Sequence, residues 1–146
     1  MRAPIVTAAA IALLGCRGAA SSNVQLAIDG SCTPEQLGEV IHLSVNVYGI
    51  GDKGDLCILG KRCIPGVELS SVQDITPLLR GQKQPLLDVE LEPAAWIEVI
   101  GHSTSCLQYD DHAMCGMGDL AAVQDNQLAV SLACGNCGQI ERPFCP

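Results

Sequence analysis

Apolar residues recur at every second position in several stretches of the chain. Val24, Leu26 and Ile28 alternate with polar or small neighbours in VQLAID, and Ile41, Leu43, Val45 and Val47 do so in IHLSVNVY. The same period appears at Leu87, Val89 and Leu91 in LDVEL, at Ile97 and Val99 in AWIEVIG, and at Leu128, Val130 and Leu132 in QLAVSLA. Successive side chains of an extended chain point to opposite faces, so each stretch predicts a strand with one buried face. Between them lie YGIGDKGD, LGKRCIPG, LRGQKQP and GMGD, whose Gly, Pro and Asp content marks turns.

Helical signals are brief. In TPEQLGEV, Thr33 is placed as an N-cap, Pro34 at the first helical position and Gln36 as the partner in a capping box, with Gly38 limiting the helix to a turn or two. SSVQDITPLL predicts another short helix, interrupted at Pro77. Short strands separated by polar turns predict an all-β domain over residues 24–146, a disulfide-rich antiparallel β-sandwich of loosely immunoglobulin-like form.

Composition narrows the picture. A hydrophobic content of 48% with 16% charged residues argues for a packed core, and aromatics at only 3% make that core aliphatic. Asp and Glu number 16 against 8 Lys and Arg. No basic cluster larger than Lys61-Arg62 offsets this balance, which repels phosphate backbones and excludes nucleic acid as an expected partner.

The first residues read as an address. Arg2 precedes an uncharged run from Ala3 to Gly15, which as a helix spans only about 20 Å, short of a hydrocarbon core of about 30 Å. One positive charge and a short apolar run have the shape of a signal peptide. The sequence changes abruptly at Arg17, and RGAASSN is small and polar like a tether. Leu13-Leu14-Gly15-Cys16 resembles the lipobox of bacterial lipoproteins. That resemblance implies cleavage after Gly15, a thioether-linked diacylglyceryl group on Cys16, and acylation of the new α-amino group. It divides the chain into a signal peptide over residues 1–15, a lipidated cysteine with its tether over 16–23, and the β-domain over 24–146. It also implies a membrane partner reached through the lipid on Cys16. Arg17 stands where aspartate would favour inner-membrane retention, so the outer membrane is the expected location. One acyl chain anchors only marginally, whereas two or three, at about 0.8 kcal/mol per buried CH₂, hold a protein durably.

Setting Cys16 aside leaves eight of the nine cysteines: Cys32, Cys57, Cys63, Cys106, Cys115, Cys134, Cys137 and Cys145. Export places them in an oxidising compartment, where they read as four disulfides. Sequence does not fix the connectivity; the favoured set joins Cys57 with Cys63, Cys106 with Cys115, Cys137 with Cys145 and Cys32 with Cys134. Two other readings use the same residues. CGNC at Cys134–Cys137 matches the spacing of thiol oxidoreductases, although GQIERPFCP after it supplies no following helix to depress a thiol pKa. His102, Cys106, His112 and Cys115 have zinc-ligand types, but their spacing matches no established finger.

The remaining candidates have plainer readings. Asp110, Asp111 and Asp119 lack the ordered spacing of a calcium loop and read as a solvated turn. His102, Ser103 and Ser105 read as a polar loop after a strand rather than a hydrolase site. His42 lies opposite the apolar set of its strand and is expected to face solvent. Glu90 and Glu92 read as an exposed acidic edge, Lys53-Gly54-Asp55 as a turn, and Trp96 as a core residue. With no Gly-x-Ser-x-Gly, His-Glu-x-x-His or phosphate loop, no catalytic residue and no cofactor is expected. The sequence thus predicts a lipid-anchored envelope protein with a non-catalytic structural or binding role and an unidentified envelope or extracellular protein partner.

Overall fold

The computed structural model describes residues 24–80, 94–106, 112–135, 137 and 142–146. Its strands are β1 (Gln25–Gly30), β2 (His42–Ile50), β3 (Leu56–Pro65), β4 (Ala94–His102), β5 (His112–Asp119) and β6 (Gln127–Cys134). Two short helices, α1 (Pro34–Gly38) and α2 (Ile75–Arg80), complete a fold that is mostly β. Among the described residues no helix is long and apolar enough to cross a membrane. The expected strand at Leu87, Val89 and Leu91, with Glu90 and Glu92, lies outside the described residues, as do Cys16 and its flanking segments, Asp110 and Asp111.

The described strands form one six-stranded mixed sheet in the order β1-β6-β5-β4-β2-β3. β3, β2, β4, β5 and β6 pair antiparallel, as expected, but β1 and β6 run parallel, with Leu26 opposite Leu128 and Ile28 opposite Val130. The sheet is therefore mixed rather than purely antiparallel. Alternation specifies that a strand has a buried face; it carries no information on the direction of a distant partner.

LGKRCIPG and GMGD, expected as turns, instead belong to β3 (all but Gly66) and β5, and the glycines of GMGD have a packing reason. Only Met114 and Cys115 register with β6, because β6 then turns across the face of β5. A Cβ on Gly116 would lie 2.5 Å from the Ser131 carbonyl oxygen, and one on Gly118 would lie 2.9 Å from the Leu128 side chain. Absence of side chains at these two positions lets the β6–β1 pair fold over the core.

That core is aliphatic, as the composition requires. Leu43 and Val45 from β2, Ile97 and Val99 from β4, Met114 from β5, and Leu128, Val130 and Leu132 from β6 share one buried cluster. Leu37 and Val40 around α1, and Val72, Ile75 and Leu79 around α2, close it. The helix start is built as the sequence predicts: Thr33 Oγ1 accepts from Gln36 N at 3.3 Å, and Gln36 Oε1 accepts from Thr33 N at 2.9 Å. Pro77 falls in the first turn of α2, where a missing N–H costs no helical hydrogen bond. Ile41, expected within the buried set, precedes β2 and is exposed.

Turn chemistry sets two hairpins. Lys53-Gly54-Asp55 lies in the β2–β3 loop as a turn, with Gly54 at φ +80° and Gly51 N donating to Asp55 O at 2.8 Å. Before β6, Asp125 and Asn126 both take positive φ, 49° and 61°, between the paired residues Gln124 and Gln127. This is a two-residue turn of the kind that Asn and Asp tolerate.

All eight described cysteines are in disulfides. Cys32 pairs with Cys134 as expected; the other three pairs are Cys57–Cys145, Cys63–Cys106 and Cys115–Cys137. The expected Cys57–Cys63 loop fails because both residues lie on β3. Six extended residues separate them by roughly 20 Å, far beyond the Cα distance a disulfide spans. Cys57 instead pins the residues from Pro143 to Cys145 along β3, where Ile58 N donates to Pro143 O at 2.8 Å and Cys145 N donates to Ile58 O at 2.9 Å. This added pairing covers part of an otherwise open edge strand. Cys106 and Cys115 fall on opposite sides of β4, so Cys106 reaches back to Cys63 and Cys115 takes Cys137.

Candidate functional site

The face of the sheet opposite the aliphatic core carries a buried polar seam. Its residues follow from the register: Ser44, Asn46 and Tyr48 of β2 lie opposite Ile100, Glu98 and Trp96 of β4, and opposite Cys63, Lys61 and Ile58 of β3. Ser44 and His102, 0% and 1% exposed, are hydrogen-bonded at 2.8 Å through Oγ and Nε2. The His102 ring meets that of His112 edge-on, with centroids 5.2 Å apart. Ser44 and His102 are thus interior groups, and His112 is half-buried. His102 closes β4 instead of starting a polar loop, and His42 is half-buried, with an Nδ1 that has no hydrogen-bond partner among the described residues.

One row along, the Tyr48 hydroxyl donates to Glu98 Oε2, and Asn46 Nδ2 donates to the Tyr48 oxygen at 3.2 Å and to Glu98 Oε2 at 3.5 Å. Burial, reinforced by the hydrogen bond to the Glu98 carboxylate, pushes the Tyr48 phenol far above its ordinary range. The Arg142 guanidinium stands 5.6 Å from the centre of the Tyr48 ring, a cation–π contact. Lys61 Nζ donates to the Cys106 carbonyl at 2.6 Å. Burial lowers the Lys61 pKa, and the negative charge of Glu98 opposes that effect. Asn46 Oδ1 is buried and has no hydrogen-bond partner among the described residues.

A serine bonded to a histidine invites a nucleophilic reading, but a nucleophile must reach its substrate. Ser44, His102, Asn46 and Tyr48 are all closed off from solvent, and Glu98, Lys61 and Arg142 form a half-buried rim. The seam is suited to fixing β2, β3, β4 and the residues from Arg142 to Cys145 in register.

The thiol sites of the sequence are likewise committed. Cys134 and Cys137 do not bond to each other but to Cys32 and Cys115. His102 and His112 do come together, yet Cys106 and Cys115 are in separate disulfides and offer no thiolates to a metal. No group of three or more metal-ligand side chains occurs among the described residues.

An open concavity lies elsewhere among the described residues. A groove of about 600 Å³ is formed where β2 ends and β4 begins, with Val24, Ile50, Trp96, Leu120 and Val123 among its walls. Asp119 and Asn126 are its polar members. Asp119 Oδ1 is engaged in capping the 3₁₀ turn Leu120–Ala122, accepting from Ala121 N at 2.8 Å. Trp96, expected in the core, is half-buried here, and Ile50 is 61% exposed.

Neither the seam nor the groove was assigned from the sequence. One signal for the seam was present: Ser44, Asn46 and Tyr48, on the polar side of β2, are uncharged, whereas a solvated strand face usually carries charge. The partners Glu98, Lys61 and Arg142 come from distant segments and have no such local mark.

No family model matches the chain, and neither a curated protein nor a solved structure matches it significantly.

Proposed function

We propose that this chain is a lipid-anchored protein of the bacterial cell envelope with a non-catalytic structural or binding role. The observation that carries the reading is the accounting of cysteines. Eight pair among themselves in four disulfides, which leaves Cys16 of Leu13-Leu14-Gly15-Cys16 with no cysteine in the chain to bond. Four disulfides suit an exported domain in an oxidising compartment. A cysteine that follows an apolar run and a small residue, and precedes a polar tether, suits a thioether anchor. With Arg17 after it, the anchor favours the outer membrane. The sealed polar seam and the open apolar groove favour binding over catalysis, with the membrane reached through Cys16 and an envelope protein as further partner.

Intact-mass measurement of the membrane-extracted protein tests this reading. The expected chain begins at Cys16, carries diacylglyceryl and amide-linked acyl mass, and contains eight oxidised cysteines. Cys16→Ser is expected to release the protein from membranes. A full-length soluble chain that retains residues 1–15 overturns the reading.

A further inference from the structure

The groove and the proposed anchor are joined by the chain itself. Val24, which lines the groove, is the first residue after the segment 16–23. That segment spans at most about 29 Å even when fully extended. β4 alone is 9 residues long, roughly 30 Å, and starts at the groove, so the far end of the sheet stands about that much further from the attachment point. A lipid on Cys16 therefore presents the groove end to the bilayer and keeps it at high local concentration there.

What this end presents fits a lipid interface. Ile50 is largely exposed, and Trp96 is half-buried with its indole on the groove wall. Tryptophan favours the boundary between headgroups and acyl chains, where its apolar body and its N–H are both accommodated. The charges around the groove are mostly acidic. The hairpin after Ile50 carries Asp52, Lys53 and Asp55, and the turn with Asn126 also carries Asp125. This end is repelled by an anionic surface, so the lipid it suits is zwitterionic.

We propose that the groove bounded by Val24, Ile50, Trp96, Leu120 and Val123 is a lipid-docking surface, which seats this end of the domain on the zwitterionic bilayer that holds its anchor. The proposal rests on the lipid-anchor reading. It makes the tether a positioning device, and turns the other end of the sheet and the rim of Glu98, Lys61 and Arg142 away from the membrane or along it.

Trp96 is the sole tryptophan of the sequence, so indole emission reports on the groove directly. The acylated protein is reconstituted into phosphatidylcholine vesicles, floated, and compared with the lipid-free chain. Docking predicts a blue shift on reconstitution and loss of most of the emission when the acyl chains carry bromine. Ile50→Asp, at an exposed strand end, is expected to reverse both while flotation through Cys16 persists. Protein that floats but keeps solvent-like, unquenched emission overturns the docking and leaves the anchor standing. Quenching that is unchanged by Ile50→Asp also overturns the groove as the contact. Emission already shielded in the lipid-free protein overturns it too: shielding at all concentrations indicates cover by the chain itself, and shielding only at high concentration indicates a second copy. A chain that carries no acyl mass and does not float overturns the anchor reading and the docking together.

Discussion

Ser44 and His102 meet across the β2–β4 pair with Oγ and Nε2 2.8 Å apart, and essentially none of either residue reaches solvent. A hydroxyl and an imidazole have been carried into an interior where each depends on the other. Ser44→Ala leaves a ring nitrogen without that partner, and the expected cost is about 1–3 kcal/mol. Denaturant unfolding of the oxidised protein measures it. A variant as stable as the parent would show that the pair contributes nothing net.

Tyr48 and Glu98 form the second linkage of the seam, and it has a pH signature. The Tyr48 phenol is raised far above its ordinary range by burial and by the Glu98 carboxylate. The folded-state pKa therefore lies above the unfolded value, so this contribution is complete below the ordinary tyrosine range of about 10 and is lost as pH rises through the folded value. Phenolate absorbance is expected to show one tyrosine that ionises only with unfolding, and Tyr48→Phe is expected to remove that late step. A phenolate at position 48 in the folded protein near pH 10 would contradict the assignment.

The disulfide pairings order the bridges by the loops they close. Chain-entropy arguments give an upper value of about 4.7 kcal/mol for the 102-residue separation of Cys32 and Cys134, and about 3.4 kcal/mol for the 22-residue separation of Cys115 and Cys137. Replacing both cysteines of a pair by alanine is expected to cost more for the first pair than for the second. Peptide mapping without reduction checks the pairings themselves, and a Cys57–Cys63 peptide would refute them.

Two glycines provide opposed tests of packing. Gly116→Ala puts a methyl group 2.5 Å from the Ser131 carbonyl oxygen, so β6 must shift, at an expected cost of 1–3 kcal/mol, roughly that of overpacking a core. Gly38→Ala, at the end of α1 with open space around it, is expected to stabilise by up to about 1 kcal/mol. Thermal unfolding of the pair of variants separates the two signs in a single comparison.

Much of the fold was legible in local pattern. Period-two alternation located β1, β2, β4 and β6, because a strand with one buried face must repeat every two residues. The Thr33–Gln36 capping box was legible because its two hydrogen bonds are made within four residues of chain. The parallel pairing of β1 with β6 was not, and neither was the placement of GMGD inside β5. Both depend on what arrives from far along the sequence.

The site shows the same division more sharply. Composition and the Leu13-Leu14-Gly15-Cys16 motif led to the lipid-anchor reading and to disulfides among the remaining cysteines, since residue type and spacing are properties of the chain itself. Tertiary structure alone decided which cysteines meet, because disulfide geometry tests distance in space and β3 holds Cys57 and Cys63 apart. It also decided the fate of the polar side of β2. Alternation assigned His42, opposite the apolar set of β2, to solvent, yet segments tied down by the Cys63–Cys106 and Cys57–Cys145 bridges bring Lys61, Glu98, His102 and Arg142 around the face that also carries Ser44, Asn46 and Tyr48. A sequence pattern records which face of a strand is apolar. What covers the other face is set by long-range closure of the chain.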